Sequence, residues 1–284
     1  VQRDAGYSNA LFSVNTGCAL TLTNIVIDGN REQVTAQRAL VYANQKNSSL
    51  TIREGAVLRN NKNNVVNSGG GAIIIGSNAS FLMTGGCITN NSLTGSGSFG
   101  GGILVGAGST GTFEMSGGMI ADNTSASYGG AIGVFNSTFT NLLSGNTVIS
   151  GNRATGNAAI AGPASSLTVV MSENALISNN VAGPAVGGGV SCSRMIMKDQ
   201  SRVCNNFGGR EGGGLFCSYL TMEDDTTICG NVTSNTTASY GQGAGVRVSW
   251  GALVMNGNAS IRDNLILTPN TNGGGVQITG GASM

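Results

Sequence analysis

Three acidic residues, Glu173, Asp199 and Asp224, each stand two positions after a methionine: Met171, Met197 and Met222. If those methionines occupy equivalent places in stacked strands, the three acids lie in a column at about 4.8 Å per step. Three stacked carboxylates offer oxygen ligands to Ca²⁺, and a pair of them offers the acid and base of glycoside hydrolysis. Glu223 and Asp225 flank the last member. Against that chemistry, the same place is held elsewhere by Glu54, Gly85, Gly117, Gly145 and Gly257, with Lys198 near enough to offset the charge, as at an ordinary polar turn. The chain has no His at all, which removes histidine acid/base catalysis and any His-ligated metal.

Six cysteines are the other reactive groups. Cys192 and Cys217 fall at inward positions of successive strands; Cys204 and Cys229 fall at outward ones. Stacked neighbours lie within the Cα separation a disulfide requires, so either pair can bridge. Small buried thiols filling a core fit the inward pair better, and the outward pair stays open between a bridge and free thiols. Cys18 and Cys87 have no stacked partner, and the absence of any CxxC unit argues against zinc.

What must position these groups is a repeat. An apolar residue is followed three positions later by Asn at Ile27/Asn30, Leu58/Asn61, Ile88/Asn91, Ile120/Asn123, Ile149/Asn152, Ile177/Asn180, Val203/Asn206, Ile228/Asn231 and Ile261/Asn264. The period is near thirty residues, with β-branched runs and no helical pattern, so each copy is one coil of a solenoid in which every strand pairs with the next coil. Asn at that turn tolerates a left-handed backbone, and its amide can bond the neighbouring turn, making a ladder.

Each coil reads as three strands. The first follows a glycine cluster, as in Gly70-Gly71-Ala72-Ile73 and Gly100-Gly101-Gly102-Ile103, with Leu11, Leu40 and Ile160 in the same place where glycine is scarce. Alternation then sends Tyr42, Ile75, Val105, Val134, Gly162, Cys192, Cys217, Val248 and Ile278 inward. The second strand adds Leu20 and Leu22, Leu50 and Ile52, Phe81 and Met83, Phe113 and Met115, and so on to Leu253 and Met255. Its outward column reads Thr21, Thr51, Leu82, Glu114, Leu142, Val170, Ile196, Thr221, Val254. That is no threonine array of the kind that binds ice. Leu82, Leu142, Val170, Ile196 and Val254 form a candidate contact stripe, although strand propensity also favours such residues. The third strand ends in Asn, and the segments beyond it, such as 31–38, 62–68, 93–99, 124–128 and 232–240, are polar, variable and gathered along one edge.

Composition agrees with a solenoid whose core is a line. There are 47 Gly and 3 Pro (Pro163, Pro184, Pro269, all at turns), and only 10% charged residues with a net charge of +1. No basic stripe exists, which argues against nucleic acid. Apolar runs fall far short of a membrane span. No domain boundary is visible across residues 1–284, and a start at Val1 without a leader reads as a piece excised from a longer protein. Sequons at Asn47, Asn136 and Asn235 follow from composition.

The Gly-Gly-Ala-Ile segments at 70–73 and 129–132, with Ile-x-x-Asn, resemble the GGAI and FxxN repeats of chlamydial polymorphic membrane proteins, with Ile, Leu or Val where Phe is usual. The unit Gly-Gly-Ile-Leu-Val (101–105) with Gly-Thr-Phe-Glu-Met-Ser-Gly-Gly-Met-Ile-Ala-Asp-Asn (111–123) is similar to repeats of large surface proteins of gut Firmicutes, grouped with the pectin-lyase-like right-handed parallel β-helices. This resemblance covers nearly the whole chain. It implies an all-β, right-handed parallel β-helix of about nine coils in a secreted, surface-attached, adhesin-like protein, and it implies no catalytic residue. The sequence expectation is therefore a non-catalytic module at the cell surface that binds a host protein, a glycan or a neighbouring cell without a cofactor. A polysaccharide-acting enzyme using Glu173, Asp199 and Asp224 is the alternative.

Overall fold

The computed structural model describes residues 1–35, 38–67, 69–76, 78–106, 111–135, 139–162, 167–184, 186–234, 243–267 and 273–280. Pro163, Pro269, Asn136 and Asn235 lie outside them, as do parts of several variable segments. The chain is an all-β, right-handed parallel β-helix whose coils recur about every thirty residues. Strand meets strand in parallel from one coil to the next: Ile73, Ile103, Ile132, Ile160 and Val190 form one unbroken register in the first strands. The second strands align Met83, Met115, Leu143, Met171, Met197 and Met222. The third strands align Ile88, Ile120, Ile149, Ile177, Val203 and Ile228.

All of these side chains are buried, and together they form one continuous core along the axis. Phe81 and Phe113 stack within it at 4.8 Å between ring centroids. Alternation explains this: each strand sends alternate side chains inward, and the next coil repeats the choice.

Two features differ from the sequence reading. A fourth, two-residue strand follows each ladder turn, at Lys62–Asn63, Ser92–Leu93, Thr124–Ser125, Arg153–Ala154 and onward to Leu265–Ile266, and these eight strands form a sheet of their own. Two residues are too few to show a period, so they read as loop. In addition, Val41 and not Leu40 stands over Ile73, so Ala43 takes the inward place under Ile75 while Tyr42 faces out beside Ile74. Leu11 is displaced likewise, with Phe12 paired to Val41. Without a glycine cluster to mark the corner, the start of those two strands is set one residue later than the apolar pattern indicates.

Candidate functional site

The asparagines form the spine that holds everything else. The ladder runs through Asn61, Asn91, Asn123, Asn152, Asn180, Asn206, Asn231 and Asn264, and along it each backbone N–H donates to the Oδ1 of the next coil's Asn, at 2.9–3.1 Å. From Asn91 to Asn231 the side-chain amide donates to the same oxygen and to a carbonyl of the preceding coil, as Asn152 does to Asn180 at 3.0 Å and to the Ile120 carbonyl at 2.9 Å. The pattern holds to the far end. Asn206 donates to Asn231 at 3.0 Å and to the Ile177 carbonyl at 3.1 Å. Asn231 donates to Asn264 at 2.9 Å and to the Val203 carbonyl at 3.0 Å.

Two expectations for the ladder need correction. Asn30 is not a member: it is itself left-handed (φ 54°), and its amide donates to the Arg3 carbonyl. Asn61 Oδ1 instead accepts from the guanidinium of Arg3, a residue only 1% exposed that closes the ladder in place of a ninth Asn. The second concerns the backbone. The ladder position was expected to be left-handed, yet Asn206, Asn231 and the other members are not. The left-handed residue is the one before each of them: Asn60, Asn90, Asp122, Gly151, Asn179, Asn205, Gly230 and Asp263. The tolerance expected of Asn therefore belongs one residue earlier, which frees Asn206 and Asn231 to turn their fully buried side chains into the ladder.

The acids also stack, but not around a common point. Glu173, Asp199 and Asp224 are left-handed turn residues (φ 54°, 57° and 56°). Each carboxylate reaches back one coil to a backbone N–H: Glu173 to Gly145 at 2.9 Å, Asp199 to Glu173 at 2.8 Å, Asp224 to Asp199 at 3.0 Å. One oxygen of each acid is thereby engaged in sealing a turn, and among the described residues no three His, Cys, Asp or Glu side chains converge as metal ligands. Each acid thereby serves the structural turn it occupies. Lys198 lies 3.5 Å from Glu223.

Of the two cysteine pairs, the outward one bridges: Cys204 and Cys229 form a disulfide with Cα atoms 4.7 Å apart. Cys192 and Cys217 are free and fully buried. Burial pushes both thiols well above the usual range, with the neighbouring Cys217 adding to the effect on Cys192. Burial and then Asp122 raise Cys87, and Cys18 is exposed. The outward stripe is in register as read, with Leu142 and Val254 exposed and Leu82, Val170 and Ile196 half-buried.

Sequence reading passed over a groove of about 330 Å³ on the outer face of the first strands. Its floor is Ala161, Gly162 and Ser191, each with a minimal side chain, and Gly133 continues the Ala161–Ser191 column beneath Phe99. Phe99 and Tyr128 wall one end, stacked at 5.1 Å, and Phe135 meets Phe99 edge-on at 5.1 Å. Phe216 closes the other end, with Asn157 and Val186 along the side. Gly133 is required here: a Cβ would sit 2.6 Å from Phe99 Cβ and 2.3 Å from the Gly100 nitrogen. A smaller cavity of about 160 Å³ lies among Phe135, Leu104, Ile74, Tyr42 and Arg38. The signal was present as an aromatic residue directly before a glycine pair at both Phe99 and Tyr128, one period apart.

Chemically the groove offers aromatic faces and neutral hydrogen-bonding groups. The residues lining its deep part include no carboxylate, Lys, Arg or Cys. Beyond Phe216, the buried Glu211 is 3.5 Å from both Arg247 and Arg210, so that carboxylate already faces two cations. No known family model, curated protein or solved structure matches the chain.

Proposed function

We propose that the chain is a non-catalytic, adhesin-like module of a bacterial surface protein, and that its principal contact is an extended glycan lying along the groove of the first strands. The observation that carries this reading is the aromatic-walled groove itself, built on a backbone that the ladder and core make rigid. Ring faces suit the apolar faces of sugars, small floor residues let a chain lie close, and Asn157 and Ser191 supply neutral hydrogen bonds. An extended polymer matches an open groove crossing several coils better than it would a closed pocket. The Cys204–Cys229 disulfide supports an extracellular, oxidising setting. Binding here involves rigid positioning of aromatic platforms, and no residue has to react.

A glycan array probed with the wild-type chain and with Tyr128→Ala tests it. Tyr128 is 38% exposed, so its removal leaves the core intact. Signals on extended polysaccharides that fall at least tenfold in the variant support the reading; signals that persist, or exclusive binding to proteins, refute it.

A further inference from the structure

A second surface lies elsewhere on the coil, the outer face of the second strands. There the half-buried and exposed apolar side chains Leu142, Val170 and Ile196 stand in three successive coils, with Leu82 before them and Val254 beyond. Two charges share that face. Glu114 occupies the coil before Leu142 in the same column, and Arg194 sits in the coil of Ile196, one column over, its guanidinium 5.0 Å above the ring of Tyr219. Neither Glu114 nor Arg194 has an ion-pair partner among the described residues.

The placement of those charges has a symmetry. Counting coils, Glu114 is one step to one side of the Leu142–Val170 pair and Arg194 one step to the other. A two-fold axis lying in the face, parallel to the strands and between those two coils, sets Leu142 of one copy against Val170 of the second. It also brings Arg194 of each copy diagonally across from Glu114 of the other, within the reach of an arginine, twice over. Tyr219 then falls across Leu82. We infer that this face is a self-association surface, its occupant a second copy of this chain in antiparallel orientation.

Self-complementarity is what distinguishes a second copy from an unrelated protein, since one face here supplies both members of each charge pair. Aromatic and arginine groups beside an apolar strip are the composition of interface centres. Net charge of +1 leaves little long-range repulsion between copies. At about 4.8 Å per coil the strip runs roughly 30 Å, and with two columns it covers on the order of 400 Å² per copy, at the small end for specific contacts. The dimer is accordingly a weak one.

Sedimentation equilibrium from low micromolar to several hundred micromolar tests the assignment on the intact chain. The expected result is a concentration-dependent monomer–dimer equilibrium that Val170→Glu abolishes. Glu114→Arg alone weakens it at least tenfold, and adding Arg194→Glu restores it; circular dichroism confirms that each variant is folded. A monomer at every concentration overturns the proposal, as does a dimer indifferent to Val170→Glu or a charge swap that rescues nothing. Tyr128→Ala leaves the dimer unchanged, so failure here and failure of groove binding are read separately.

Discussion

Removing one rung of the ladder, by Asn152→Ala, is the most informative perturbation of the scaffold. Asn152 is fully buried, and its Oδ1 accepts the Asn123 backbone N–H at 3.1 Å, while its amide donates to the Ile120 carbonyl at 2.9 Å and to Asn180 Oδ1 at 3.0 Å. Alanine leaves that N–H buried without an acceptor and withdraws a donor from the carbonyl. A buried group stripped of its partner costs about 1–3 kcal/mol, so two such groups give a loss of about 2–6 kcal/mol. Asn30→Ala makes the internal control. That side chain donates only to the Arg3 carbonyl, and its left-handed backbone accounts for the rest, so about 1 kcal/mol is expected. Asn174→Ala, at an exposed turn, should shift stability by less than about 0.5 kcal/mol. Urea unfolding followed by circular dichroism, with equal m-values, ranks the three. Equal, small losses for Asn152 and Asn174 would refute the ladder as the stabilising spine.

Further outcomes follow from single residues. Asn141 stands between Phe113 and Val169 in the core column, fully buried and with no partner for either side-chain polar atom among the described residues, so Asn141→Leu should raise stability by about 1–3 kcal/mol in the same urea assay. Reducing the Cys204–Cys229 bridge, which spans 25 residues, should cost about 3 kcal/mol on the loop-entropy estimate, read as a lower urea midpoint in reductant. With Cys192 and Cys217 buried and their thiols pushed up, the thiolate fraction at pH 8 is suppressed, so a thiol reagent should label Cys18 fast, Cys87 slowly and the buried pair only on unfolding. Gly133→Ala should displace Phe99, weakening glycan binding at least tenfold and lowering stability by about 1–3 kcal/mol, measured by titration and by melting.

Much of the coil was legible because both of its periods are written in side-chain types. Alternation placed Met83, Met115 and Met171 inward, and the thirty-residue recurrence placed Asn61 through Asn206 and Asn231 to Asn264 in line. Reading failed where one residue had to carry two meanings. Asn30 matches the ladder spacing, yet the spacing cannot reveal that Arg3, distant in sequence, fills the place Asn30 would have taken. The column of Glu173, Asp199 and Asp224 was visible from its offset to the methionines, but the direction each carboxylate takes depends on turn geometry, and the backbone N–H one coil back claims it. The groove escaped notice for a related reason. Its floor is defined by side chains that are small, at Ala161, Gly162 and Ser191, and its walls come from turns whose aromatic residues look unremarkable singly.

The most direct test of a binding groove on an inert rod is affinity electrophoresis through gels containing extended polysaccharides, comparing wild type with Phe99→Ala/Tyr128→Ala and assaying chain ends in the same samples. The expected result is retardation of the wild type by at least one polysaccharide, its loss in the double variant, and no release of reducing or unsaturated ends. Equal mobility of the two chains in every gel, or accumulation of new chain ends with the wild type, would contradict it.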